Sequence, residues 1–263
     1  MLGLIKLQIR LIFNKKIVIT CIISFMLLIE LQLLKLSQNI KVYNLDGNLL
    51  DALIVTLGNW QSPINFLFIL SSLILMIICS YLSISSFNIV NDLNKITLNR
   101  SKSRLKLWIS SCITQIILTL FIFIIVFIFS LVFGTISFKH DIIYSLYNLE
   151  FYNININPVK LIPLIMINFI TGLYSLFMII QIILLLSKKS LNTYILAVTI
   201  FTITSIAYIY DFIPRIFAPF SYISSIFTNN SNSSFELAIS SNILITIICI
   251  LLGSKIYLKK DFY

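Results

Sequence analysis

An all-α integral membrane fold of six transmembrane helices, with both termini cytoplasmic and an N-terminal interfacial amphipathic helix, is the fold class this sequence predicts. Three observations predict it. The 263 residues are 59% hydrophobic and 11% charged, against roughly a quarter charged in a soluble domain. Six apolar runs reach the length needed to cross a hydrocarbon core, about 20 residues of helix. The basic residues fall mostly on one side of those runs, the pattern that sets membrane orientation.

The runs are Ile17–Leu34, Ile64–Ile84, Leu107–Ile136, Val159–Leu186, Leu191–Tyr210 and Leu237–Leu258. They must be helices, because lipid offers no partner to unpaired backbone groups. Gly134, Gly172, Gly253 and Pro163 are tolerable inside them. Two further runs are expected not to cross: Asp51 interrupts Leu49–Leu57, and Pro214, Arg215 and Pro219 interrupt Phe212–Phe227. After the first run comes KLSQNIKVYN, which lacks the small-residue pattern of a signal-peptide cleavage site, so a retained span is expected there.

With both termini inside, 14 Lys and Arg residues lie on the cytoplasmic side and 5 outside (Lys35, Lys41, Lys139, Lys160 and Arg215). The acidic residues Asp46, Asp51, Asp141, Glu150, Asp211 and Glu236 fall outside. Trp60 and Trp108 are expected at the outer and inner membrane surfaces, with Tyr144, Tyr147, Phe151 and Tyr152 bordering the outer one. A net charge of +10 is explained by this topology, and no nucleic-acid partner is expected. Cys21, Cys79, Cys112 and Cys249 sit in apolar runs without C-x-x-C spacing, and read as small packing residues.

Residues 1–16, MLGLIKLQIRLIFNKK, place Lys6, Arg10 and Asn14 at every fourth position and therefore on one helical face. Leu2, Ile5, Ile9, Ile12 and Phe13 cover much of the rest, and Lys15 and Lys16 close the segment. The expectation is a helix in the inner headgroup plane; the plainer alternative is an extension of the first span. Between spans two and three, residues 88–104 combine Ile89, Leu93 and Ile96 at helical spacing with a dense basic stretch, LNRSKSRLKLW. A positive anchor that simply holds this loop inside is the plain reading, and a docking surface the richer one. The third run exceeds what the core requires, so it tilts or projects toward such a partner.

Glu30 is the acidic residue well within a span, a candidate for a transport pathway. Gln115, Asn168, Thr171 and Gln181 read as interhelical hydrogen-bonding residues. Catalysis finds little support. His140, beside Asp141, is the only histidine, H-E-x-x-H is absent, and no metal site is expected. There is no G-x-x-x-x-G-K-S/T phosphate loop. The sequons Asn229–Ser231 and Asn232–Ser234 lie in a polar turn.

The order of these parts resembles the membrane (permease) subunit of a type II ABC exporter, of the kind found in small bacterial peptide or bacteriocin export and immunity systems. Residues 1–16, residues 88–104 and the broken segment DFIPRIFAPFSYISSIF, within a 211–236 extracellular hairpin, carry the likeness. NDLNKITLNRSKSRLKLW matches the coupling loop of that family at Asp92, Ser101, Ser103 and Arg104. It departs where Lys95 and Ile96 replace the Glu and Gly-Thr often present.

The resemblance implies a homodimer of this chain working with two copies of a cytoplasmic ABC ATPase that bind ATP and Mg. The chain itself then carries no cofactor and no catalytic residue. It implies docking of the ATPase on Asp92, Leu93, Lys95, Ile96, Arg100, Ser101, Ser103 and Arg104, with Lys6, Arg10, Lys15 and Lys16 on the interfacial helix. Nearly charge-free, aromatic-rich spans suit an amphipathic or hydrophobic cargo, a peptide or antimicrobial-type molecule. The competing readings are an ATPase-independent immunity or scaffold protein, and an intramembrane enzyme using Glu30, His140 or Asp211.

Overall fold

The computed structural model of the protein describes residues 2–58, 66–101, 103–142, 158–187, 189–209, 212 and 234–259. Over these residues the chain is all-helical. In order, the helices are α1 (Leu2–Ile12), α2 (Lys15–Tyr43), α3 (Leu49–Gly58) and α4 (Phe66–Ser101). They continue with α5 (Arg104–Ser137), α6 (Pro158–Ser187), α7 (Ser190–Ile209) and α8 (Ser234–Lys259). Five of them, α2, α4, α5, α6 and α8, contain stretches long and apolar enough to cross a membrane, and Ser190–Thr204 of α7 is a shorter apolar stretch. Trp60, Tyr144, Tyr147, Phe151 and Tyr152, both sequons and nearly all of the 211–236 hairpin lie outside the described residues.

α5 and α6 form the centre. α5 touches α1, α2, α3, α4, α6 and α8, and α6 packs along α8 and against α3, α4, α5 and α7. Apolar side chains such as Phe25, Leu28, Leu118, Ile122, Phe169, Leu173 and Phe177 fill the interior. Five hydroxyls of α5 have an acceptor within the helix: Ser110, Ser111, Thr114, Thr119 and Ser130 each reach a carbonyl three or four residues earlier. That local bonding lets polar residues sit in an apolar helix.

Several elements run longer than their apolar cores. α2 continues nine residues past Leu34 to Tyr43, where Asn44, in the left-handed conformation, caps it by donating to Ile40 and Lys41. Lys35 is therefore inside a helix and buried, at 2% exposure, whereas the sequence suggests an external loop residue. α4 is one helix of 36 residues through Ser101, about 54 Å long at 1.5 Å per residue. The backbone of Asp92–Ser101 thus continues α4 instead of forming a separate short helix.

α3 is short, as the interrupted Leu49–Leu57 run suggests, but Asp51 starts it instead of breaking it. Asn48 Oδ1 accepts from the Asp51 amide at 3.1 Å, and Asp51 Oδ2 accepts from the Asn48 amide at 2.8 Å. This reciprocal box satisfies two amides that a helix start leaves orphaned, so α3 can be buried from Leu49 to Leu57. The Leu49 amide also donates to the Lys139 carbonyl at 2.9 Å, tying α3 to the segment after α5. Lys139 pairs with Asp46 across the same junction, with both side chains well exposed. At Gly134 a Cβ would lie 2.8 Å from Leu49 Cδ1 and 3.1 Å from the Ala52 Cβ. Glycine there is what lets α3 approach α5 closely.

Candidate functional site: the basic end of the bundle

Long-range hydrogen bonds bring four pieces of chain to one end of the molecule. The first is α1. Gln8, fully buried, donates to Ser110 Oγ at 3.0 Å and accepts from Thr114 Oγ1 at 2.8 Å. Phe13 then meets Phe121 edge-on, with ring centroids 4.8 Å apart. α1 thus packs on α5, and it packs against α4 as well. The physical reason is that Gln8 and Ile12, one turn apart, form a face that α5 can bury and satisfy. Lys6 and Arg10 lie on the exposed side with Leu7 and Leu11, and Lys15 and Lys16 are exposed at the start of α2.

The second and third pieces are the α4–α5 connection and the end of α8. Ser103 caps α5 by accepting from the Lys106 amide. Arg104 Nη1 donates to the Leu258 carbonyl at 2.7 Å, one of the acceptors left over at the end of α8. A cation at the positive start of a helix is badly placed, and at the negative end well placed. By reaching across, Arg104 exchanges the first situation for the second.

One turn on, Trp108 is fully buried, and its indole Nε1 donates to the Ile250 carbonyl at 3.0 Å. Its ring lies on Tyr257, with centroids 5.6 Å apart. The sequence expects Trp108 at a membrane surface; within the bundle its ring is buried between α5 and α8, where its polar atom finds a backbone acceptor.

The fourth piece is the α6–α7 connection, joined to α4 by a 2.9 Å hydrogen bond from Asn88 to Ser190. Basic residues accompany these contacts: Lys6 and Arg10 flank Gln8, Arg104 and Lys106 open α5, Lys189 precedes Ser190, and Lys255 and Lys259 close α8.

The eight expected docking residues are not equivalent. Asp92 is exposed, and Leu93 is buried at 9% exposure. Ser103 and Arg104 are engaged within the bundle as a cap and a clamp. The side chains of Lys95, Ile96, Arg100 and Ser101, and all of Lys102, lie outside the described residues.

Deeper in the bundle, Gln115 Nε2 donates to Ser86 Oγ at 2.8 Å, and Ser83 Oγ donates to the Phe177 carbonyl at 3.3 Å, so α4, α5 and α6 are cross-linked. Asn242 of α8 donates to Asn168 and Thr171 of α6. Gln181, fully buried, finds no hydrogen-bond partner among the described residues. His140 and Asp141 are exposed after α5, at the far end.

Glu30 sits about midway along α2, because that helix extends well beyond the apolar run. It is exposed on the outside of the bundle, at the edge of a groove between α2 and α4 with a volume of about 430 Å³. Gln8, Asn242 and Gly253 are the residues sequence reasoning missed. The Gln8–Ile12 spacing and the i, i+3, i+7 spacing of Ile250, Gly253 and Tyr257 were the available signals.

No family model matches the chain, and no curated protein or solved structure shows significant similarity to it.

Proposed function

We propose that this chain is the permease subunit of an ATP-driven exporter of the type II ABC class, moving an amphipathic or hydrophobic peptide-type cargo. The observation that carries the reading is the convergence of α1, the α4–α5 connection, the α6–α7 connection and the end of α8 on one basic end. In this reading α7 completes six spans, that end faces the cytoplasm, and a second copy of the chain forms a homodimer. Two ATPase subunits, which bind ATP and Mg, dock on the projecting end of α4 around Asp92 and the basic residues that follow.

The bonding at that end suits transmission. A push on the α4–α5 connection reaches α8 through Arg104 and Trp108, and α1 through Gln8 on Ser110 and Thr114. Each of these is a fixed contact between rigid helices, so displacement of one moves the others instead of being absorbed in a loop. The mixed exposed surface of Lys6, Leu7, Arg10 and Leu11 suits lipid headgroups.

The test is affinity purification of the tagged full chain from its native membranes in the presence of Mg, ATP and vanadate, with mass spectrometry of the associated proteins. The expected result is an ATPase carrying a phosphate loop, retained by the parent chain and lost from Asp92→Arg with Arg100→Ala and Lys102→Ala. A chain that purifies without any such ATPase overturns the reading.

A further inference from the structure

The groove between α2 and α4 pairs an apolar lining with one acidic group. Leu27, Leu28, Leu31 and Leu34 of α2 face Ile74 and Ile78 of α4 across it, and Glu30 stands at its edge. The groove opens sideways from the bundle: Leu27 is 53% exposed and Leu34 55%. Its volume of about 430 Å³ falls in the range of ligand sites, about 300–1,000 Å³.

Glu30 is out of place on such a surface unless something covers it. Acidic side chains within spans are costly and face a bundle interior or a cavity. Here the carboxyl faces outward, and among the described residues it makes no hydrogen bond or ion pair.

The occupant must therefore be apolar over most of its length and bring a cation at mid-span depth. Among the described residues, a second copy of this chain offers no exposed cation at that depth. Exposed Lys and Arg side chains on the described long helices sit near helix ends, as Lys15, Lys16, Lys41, Lys106, Lys160, Lys255 and Lys259 do. An isologous contact centred on Glu30 would bring two carboxylates together.

We propose that this groove binds an amphipathic peptide, the Glu30 carboxyl taking a Lys or Arg of the peptide and the leucines and isoleucines taking its flanking apolar side chains. The site is entered from the bilayer. This deepens the exporter reading, on which it rests for the peptide's role as cargo, by giving that cargo a positive charge.

The experiment uses the full chain in phosphatidylcholine nanodiscs, where no anionic lipid competes, without any ATPase. The probe is a fluorescent amphipathic Leu/Lys helical peptide of roughly 20 residues, read by anisotropy, with a Leu/Glu peptide of the same pattern beside it. Saturable binding of the Leu/Lys peptide is expected, weakened about tenfold by Glu30→Gln, equivalent to about 1.4 kcal/mol. Glu30→Asp is expected to fall between, and Glu236→Gln, an exposed acid at the far end, to leave binding unchanged.

Leu31→Trp, at an exposed position that leaves the core alone, narrows the groove and is expected to weaken binding with Glu30 intact. Equal binding of the two peptides, parent-like binding by Glu30→Gln, or no binding above empty nanodiscs overturns the proposal. So does a Glu30→Gln change that dissociates a dimer but leaves peptide binding as it was, which would assign the groove to a second copy. Binding that depends on Glu30 while no ATPase copurifies from native membranes leaves the groove standing and removes the exporter reading.

Discussion

Trp108 and Gly253 fit together only because one of them has no side chain. A Cβ on Gly253 would lie 2.1 Å from Trp108 Cζ2 and 2.6 Å from Cη2, far inside contact distance. Ile250 and Tyr257 lie on the same face of α8 as Gly253, so that face forms a slot for the indole, with a carbonyl at one side and a ring at the other. Arg104, one turn before Trp108, closes the end of the same slot on Leu258. The start of α5 is thereby keyed into the end of α8.

This key makes the first prediction. Gly253→Ala must push the ring out of its slot and is expected to cost about 1–3 kcal/mol, as overpacking does. Trp108→Ala is expected to cost about 3–5 kcal/mol. In the double variant the added methyl no longer meets a ring, so the two costs should couple by about 0.5–3 kcal/mol instead of adding. Unfolding by SDS in mixed micelles measures this cycle. Trp60→Phe leaves Trp108 as the sole tryptophan, and Gly253→Ala should then shift its emission to the red.

Gln8 makes the second. Its amide is the polar link between α1 and α5, serving Ser110 and Thr114 together. Interhelical hydrogen bonds of this kind contribute about 0.6–1.7 kcal/mol within membranes, so Gln8→Ala should loosen α1 without unfolding the bundle. Faster proteolysis or hydrogen exchange over Leu2–Ile12, with α5 to α8 unchanged, is the expected readout. Unchanged exchange in α1 would show that Ile12 and Phe13 hold it alone.

The helical class was legible because it depends on composition and run length, which are local. The apolar runs of α2, α4, α5, α6 and α8 have the lengths and content of spanning helices. What the sequence concealed depends on pairs of residues far apart in the chain. Trp108 carries no mark that distinguishes a membrane-surface ring from one keyed into a glycine more than a hundred residues later.

Arg104 reads as part of a uniform basic stretch until the end of α8 is seen beside it. Gln8 is a lone polar residue in an apolar pattern, and its meaning comes from two hydroxyls on α5. Asp51 misled for a different reason. As an interruption it counts against a span, yet the Asn-x-x-Asp spacing from Asn48 was present and spells a helix start. Glu30 was visible within the first apolar run, but its place midway along α2 was not, because that run ends nine residues before the helix does.

The third prediction tests that helix start. Asn48→Ala and Asp51→Ala each remove one half of a reciprocal cap inside the protein and leave the other side chain on its amide; losing a cap costs about 0.5–2 kcal/mol. Because the two bonds use different side chains and different amides, the double variant should cost about the sum of the two singles. Raised exchange of the Leu49–Ala52 amides, with α2 unaffected, is the local signature. A double variant no worse than the worse single one would mean that neither bond survives without the other.

The fourth separates clamping from docking at the basic stretch. Arg104 holds the Leu258 carbonyl at 2.7 Å in an exposed setting, where a cation at a helix end contributes about 0.3–1 kcal/mol. Arg104→Met should therefore raise hydrogen exchange of the Ile256–Lys259 amides up to about fivefold, since 1 kcal/mol is a factor of about five. Arg100→Ala and Lys102→Ala should leave those amides as they are. Loss of an ATPase partner in the Arg100 and Lys102 variants, with α8 exchange unchanged, would locate docking before Ser103. The same loss in Arg104→Met alone, accompanied by faster exchange in α8, would instead trace coupling to the joint between α5 and α8.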